Sequence, residues 1–162
     1  MKRARFADIL HLLAANEVEF IVVGMTAGVL QGAPVTTVDV DVVHRRTADN
    51  VARLLRALEA LDAVYRHDQR KLRPAESHLS GPGHQLLATR HGDLDCLGTI
   101  DEGRGYDELL EQTVEMSLSA ESTIRVLSLP ALIEAKERAG RPKDLAALPI
   151  LRATLDELNG RP

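Results

Sequence analysis

Apolar residues recur at helical spacing near the start of the chain, at Phe6, Ile9, Leu10, Leu12 and Leu13, and Asn16 stands where such a helix would stop. The run Val18-Glu19-Phe20-Ile21-Val22-Val23 that follows is β-branched and mostly apolar, the composition of a strand covered on both faces, and Gly24 closes it. Residues 25–30 are short and apolar with Thr26 and Ala27 at their head, which predicts one or two turns of helix springing directly from the strand. Residues 35–43 alternate with period two at their centre and predict a second strand, on which Thr37, Asp39 and Asp41 share one face.

A third helix is predicted from Thr47 to about Asp62, with Asn50 and Asp49 in its first turn and Val51, Leu54, Leu55, Leu58 and Leu61 repeating on one side. Residues 64–67 predict a short strand. From residue 68 to residue 85 the composition turns to Arg, Lys, Pro, Gly, Ser and His without a period, the pattern of a long functional or mobile loop. Residues 86–89 and 93–97 predict the arms of a hairpin with His91-Gly92 near the turn, extending the sheet. Beyond them lie a short helix at 106–112, strands at 114–118 and 123–127, and a helix at 129–139 ending at Gly140. Pro142 opens a last helix that runs to about Leu158. This alternation predicts an α/β (α+β) chain, a mixed, mostly antiparallel sheet flanked by helices. No repeat, low-complexity tract or linker divides residues 1–162, so one domain is expected.

With 44% hydrophobic but only 2% aromatic residues, the core must be filled by Leu, Val, Ile and Ala, and sequence-neutral base stacking is not expected. Twenty basic against 24 acidic residues give a net charge of -4, which argues against general duplex DNA binding by counterion release. One cysteine, Cys96, in a buried-strand pattern offers neither a disulfide framework nor a thiolate zinc site. The basic start at Met1-Lys2-Arg3-Ala4-Arg5 is followed by no long apolar region, and no apolar run approaches the roughly 20 residues a spanning helix needs. A cytoplasmic protein without a membrane partner is expected. His44, His67, His78, His84 and His91 match no zinc spacing and read as scattered surface imidazoles.

The candidate chemistry lies in two acidic strands. Side chains two apart on a strand point to one face, about 6.6 Å apart along it, so Asp39 and Asp41 converge on one small volume. An isolated D-x-D also fits the wet face of an antiparallel strand. A divalent cation gives paired like charges a reason, because Mg²⁺ prefers carboxylate oxygens and is commonly held by one or two carboxylates plus substrate phosphates. The later strand Asp93-Leu94-Asp95-Cys96-Leu97 offers the same geometry again, with Asp95 between apolar neighbours.

Val23-Gly24-Met25-Thr26-Ala27, a spacer, and then Asp39-Val40-Asp41-Val42 resemble the signature of the DNA polymerase beta type nucleotidyltransferase superfamily, and Leu94-Asp95-Cys96 is similar to its third acidic element. The stretch from Leu129 to Leu148, with the run from Lys136 to Leu145 inside it, resembles the tail of small bacterial members, including toxin-antitoxin and abortive-infection types. The resemblance implies a nucleotidyltransferase-like fold and a Mg²⁺ (or Mn²⁺) dependent enzyme. Asp39, Asp41 and Asp95 would be its metal ligands and catalytic groups. It implies transfer of a nucleoside monophosphate from a nucleoside triphosphate to a hydroxyl on a protein, an RNA 3′ end or a small molecule. Gly24 would let the backbone approach the phosphates, the next helix N-terminus would present N–H groups to them, and Thr26 would add a hydroxyl. Met25 stands where the family has Gly or Ser, either against the phosphate path or as a core gap-filler.

For Lys136, Arg141 and Lys143 the two readings are charge stabilisation of the triphosphate and a solvated helix face. Asp144 reads as a first-turn residue of the last helix, and Arg45 and Arg46 as loop arginines near acceptor or phosphate. The rival to the enzyme is a catalytically inactive binding module, such as one component of a toxin-antitoxin pair.

Overall fold

The computed structural model describes residues 5–160. Helix α1 (Phe6–Ala15) buries Ile9, Leu10 and Leu13 and leads into β1 (Phe20–Val23), a strand buried at every position. The chain passes from β1 into helix α2 (Gly24–Leu30) with no intervening loop, because Gly24 adopts φ +64°, a left-handed conformation open to glycine at little cost. Strand β2 (Asp39–His44) follows, then helix α3 (Ala48–Ala60), whose Thr47 hydroxyl accepts from the Asn50 amide at 3.3 Å. Val51, Leu54, Ala57 and Leu58 form the buried side of α3.

Strand β3 (Val64–Tyr65), helix α4 (Glu76–Ser80), and strands β4 (His84–Thr89) and β5 (Gly92–Leu97) come next. Helix α5 (Tyr106–Leu109) runs on into one 3₁₀ turn (Leu110–Gln112), followed by β6 (Thr113–Ser119) and β7 (Ser122–Leu127). Helix α6 (Leu129–Ala139) starts at Ser128, whose hydroxyl accepts from the Ala131 amide, and ends at Gly140 with φ +65°. Helix α7 (Pro142–Gly160) closes the described chain.

The strands form one sheet in the order β3-β4-β5-β2-β1-β7-β6. The β1–β2, β3–β4, β4–β5 and β6–β7 pairs are antiparallel, whereas β1–β7 and β2–β5 are parallel, so the mixed, mostly antiparallel sheet expected from the sequence is present. Helix α1 packs on α3 and touches β5 and β7, while α2 packs on β1, β2 and α6, and α6 packs on α7. Aliphatic side chains fill the core, with Phe20 the one buried Phe, Tyr or Trp among the described residues. No described helix is long and apolar enough to cross a membrane.

Two expectations are corrected. The segment 68–85 is not a continuous loop: it contains α4 and the first residues of β4. A single buried apolar residue, Leu79, anchors α4, and one residue creates no period for the sequence to show. The strand carrying Asp39 begins at that residue rather than at residue 35, and the Thr37 hydroxyl instead donates to the Asp39 carbonyl at 3.2 Å.

Candidate active site

Strand register brings the acidic residues together. Strands β2 and β5 run parallel with Asp39 opposite Asp93 and Asp41 opposite Asp95, and residues in register on neighbouring strands point to the same face. One oxygen from each of Asp39, Asp41 and Asp95 lies within 4.8 Å of the others. The alternate residues of β2, Val40 and Val42, turn to the opposite face and are fully buried. Asp95 is 7% exposed, Asp39 and Asp41 somewhat more, and Asp93 stands at the rim of the group.

Three carboxylates this close do not ionise freely. Burial, then the charge of Asp39 and the neighbouring Asp95, pushes the Asp41 carboxyl from 3.8 up to about 8. Burial and then the charge of Asp95 raise Asp39 as well, against a smaller opposing effect of Arg66. The donor set fits a hard divalent cation: three carboxylates, no thiolate, and an excess of negative charge that such an ion relieves.

Gly24 shapes this group from the side. A Cβ at that position would lie 2.2 Å from Asp41 Oδ2, so the missing side chain makes room for the carboxylate itself. The Thr26 side chain is buried and donates to the Asp39 carbonyl at 2.8 Å, which fixes the start of β2 and commits the hydroxyl expected at the phosphates. Met25 lies partly buried against the core and also lines the cleft above the carboxylates.

That cleft, about 550 Å³, is bounded by the acidic face of the sheet on one side and by α6 and α7 on the other. Lys136, Arg141 and Lys143 all line it. Neither Lys136 nor Arg141 is a simply solvated helix residue. The fully buried Asp144 accepts from Lys136 Nζ at 3.2 Å and from Arg141 Nε at 2.7 Å, so one carboxylate holds two cations at the cleft wall. A smaller, mostly aliphatic hollow of about 240 Å³ adjoins the cleft and shares Asp41, His84, Leu97, Lys136 and Arg141 with it.

Arg66, which the sequence reading passed over, also lines the cleft. It follows β3, and its guanidinium donates to Asp95 Oδ1 at 3.0 Å. The one signal available in the sequence is the acid-rich pair of strands, which calls for a cation without saying which. Arg45 and Arg46 lie past the far end of β2, where Arg45 pairs with Glu19 and Asp107, each at 2.7 Å, and does not line the cleft.

The histidines divide by environment. His84 lines the cleft with its Nε2 2.8 Å from the Thr99 carbonyl, whereas His44 is buried with Nε2 2.7 Å from the Leu79 carbonyl. Cys96 is buried, and burial followed by the charge of Asp95 raises its thiol far above the ordinary range, the behaviour of a small hydrophobe.

No protein-family profile and no curated protein matches the chain. Solved structures do. TM1012 of Thermotoga maritima, a protein assigned as a nucleotidyltransferase, superposes with a TM-score of 0.57 at 19% identity, covering 99% of this chain and 98% of that one. The antibiotic-resistance factor ANT(2″)-Ia superposes with a TM-score of 0.57 at 14% identity, covering 92% of this chain and 83% of that one. At such identities the likeness concerns architecture, and the architecture is the nucleotidyltransferase fold.

Proposed function

We propose that the chain is a metal-dependent nucleotidyltransferase that moves a nucleoside monophosphate from a nucleoside triphosphate to an acceptor hydroxyl. The observation that carries this reading is the meeting of Asp39, Asp41 and Asp95 beneath Gly24, at a cleft whose facing wall bears Lys136, Arg141 and Lys143. Carboxylates for a cation and cations for a polyanion, face to face across one cleft, match a metal-bound triphosphate in both charge and chemistry.

Asp39, Asp41 and Asp95 would hold Mg²⁺ or Mn²⁺. When bound, such an ion supplies Lewis acidity, lowering the pKa of the attacking hydroxyl and offsetting charge on the phosphate oxygens. Lys136 and Arg141, held by Asp144, would bind the phosphates together with Lys143, and Gly24 would keep the Asp41 carboxylate seated. Backbone N–H groups at the start of α2, from Gly24, Met25 and Thr26, would add donors near the same path. In the transfer the acceptor oxygen bonds to the α-phosphorus as the bond from that phosphorus to the α–β bridging oxygen breaks, the hydroxyl proton passes to solvent, and pyrophosphate departs with the bridging oxygen along the basic wall. The acceptor, a protein side chain, an RNA 3′ end or a small molecule, would be selected by the segment 68–85 and the C-terminal helices, in a cytoplasmic setting.

One observation favours a second reading. Met25 lines the cleft where the resembling family has a smaller residue, which suits a catalytically silent module kept as an interaction surface, such as a toxin-antitoxin component. The clustered carboxylates speak against it, since an acidic group without a cation destabilises the fold it sits in.

Melting with Mg²⁺ or Mn²⁺ and each nucleoside triphosphate separates the two, because a ligand selective for the folded state raises Tm. The enzyme reading expects a rise in wild type that is lost when Asp39→Ala and Asp41→Ala are combined. Transfer of labelled α-phosphate into lysate then identifies the acceptor. An equal rise in the double variant, or none in wild type, overturns the reading.

A further inference from the structure

Arg66 stands where two demands on the acidic group conflict. Its own amide donates to the Leu86 carbonyl at 3.0 Å, which pins the residue alongside β4. From there Nη1 donates to the Leu87 carbonyl at 2.9 Å, Nη2 donates to Asp95 Oδ1 at 3.0 Å, and Nε lies 3.7 Å from Asp93 Oδ2. One arm of the fork is thus anchored to backbone while the other reaches a carboxylate, a division of labour that a planar guanidinium performs and an ammonium does not. The side chain is 20% exposed and that of Asp95 10%, so the pair is shielded more than a surface ion pair and its charges are felt strongly.

We propose that Arg66 is the positioning residue and resident counter-cation of the acidic site, orienting Asp95 in the metal-free protein and opposing the divalent ion that later takes up the charge. The inference rests on the metal-dependent reading above. Three carboxylates within 4.8 Å repel one another, and a guanidinium on Asp95 relieves part of that repulsion. The same positive charge, a few ångströms from the cluster, works against a 2+ ion. Arg66 therefore stabilises the metal-free protein more than the metal-bound one, and by linkage it raises the metal concentration at which the site fills.

Wild type, R66Q and R66K are compared by melting in EDTA and in graded Mn²⁺, with Mn²⁺ affinity measured by calorimetry. In R66Q the melting temperature falls in EDTA, the Mn²⁺-induced rise exceeds that of wild type, and Mn²⁺ binds roughly threefold to tenfold tighter. R66K keeps the charge and loses the fork, so it melts lower in EDTA and binds Mn²⁺ within about twofold of wild type. A merely structural arginine would lower Tm equally with and without metal, and an R66Q affinity no tighter than wild type overturns the proposal. Should R66Q fail to fold, R66K decides alone: Mn²⁺ binding weakened more than about threefold means that the arginine fork favours the bound ion instead of opposing it, and overturns the proposal. Absence of any Mn²⁺ binding in wild type fails the metal-dependent reading and this proposal together, whereas wild-type binding without the R66Q gain fails this proposal alone.

Discussion

Gly24 and Asp41 compete for one volume: a Cβ on the first would come within 2.2 Å of Oδ2 and 3.2 Å of Cβ of the second. The glycine also holds φ +64°, where an L side chain costs about 1 kcal/mol. Gly24→Ala is therefore expected to lower stability by roughly 1–3 kcal/mol in urea denaturation and to push the Asp41 carboxylate out of its cluster. The second effect has its own readout, since the Mn²⁺-induced rise in Tm should shrink or vanish. An alanine variant with full metal response would show that Asp41 relaxes without cost.

The proton on Asp41 sets a pH dependence of opposite sign to that of most acidic residues. Its ordinary value of 3.8 rises in the folded chain to about 8, through burial and then the Asp39 charge. The folded state thus holds the proton more tightly than the unfolded one. The resulting stability is fully present below about pH 4 and is lost as pH climbs toward 8. In EDTA, melting temperature should decline across this window as the Asp41 contribution to stability falls, by on the order of a few kcal/mol at most. Asp41→Asn should flatten most of the decline, and saturating Mn²⁺ should oppose it in wild type because the ion binds the ionised form. A wild-type profile that stays flat to pH 8 in EDTA would contradict the assignment.

Asp144 behaves in the other direction. Burial alone would raise it, but hydrogen bonds from Arg141 and Lys136 outweigh burial and hold its carboxyl below the ordinary range. Its contribution is present above that ordinary range and is lost as pH falls through the lowered native value. Asp144→Asn leaves Lys136, itself 16% exposed, without its counter-charge and should cost roughly 3 kcal/mol at neutral pH. Both cations then lose their anchor at the cleft wall, so any nucleoside triphosphate-induced rise in Tm should weaken as well. Unchanged stability in guanidinium titrations would mean the two cations find other partners.

How far the site was legible followed from the range of the interactions. The shared face of Asp39 and Asp41 was readable because strand side chains alternate with a fixed period. Asp95 was readable as a buried-strand carboxylate and by resemblance, but its meeting with Asp41 was not readable from periodicity, since the parallel β2–β5 register that sets them opposite spans 54 positions of chain and leaves no local mark. Arg66 depends on the same long-range pairing, through Leu86 and Leu87 of β4, and went unread for that reason. Thr26 was assigned to a ligand because a hydroxyl at a helix start suits one, yet the Asp39 carbonyl lies closer to hand at 2.8 Å. Lys136 and Asp144 sit on different helices, joined by the left-handed turn at Gly140, and their pairing appears only once that turn is made.

Leu79 tests whether the element hidden in the segment 68–85 supports the fold or the site. It is fully buried in α4, and its carbonyl lies 2.7 Å from Nε2 of the buried His44, whose imidazole is pushed by burial below its ordinary pKa range despite that bond. His44 ends β2 and faces away from Asp39 and Asp41, since it lies an odd number of residues from each on a strand whose side chains alternate. Leu79→Ala should therefore cost about 2–4 kcal/mol in urea denaturation through the cavity it leaves. Its Mn²⁺ affinity should equal that of wild type, because the disturbance enters at the other end of β2 and on the other face. A loss of metal affinity in proportion to stability would instead tie α4 to the carboxylates, by way of a β2 strand that shifts as a unit rather than relaxing locally around His44.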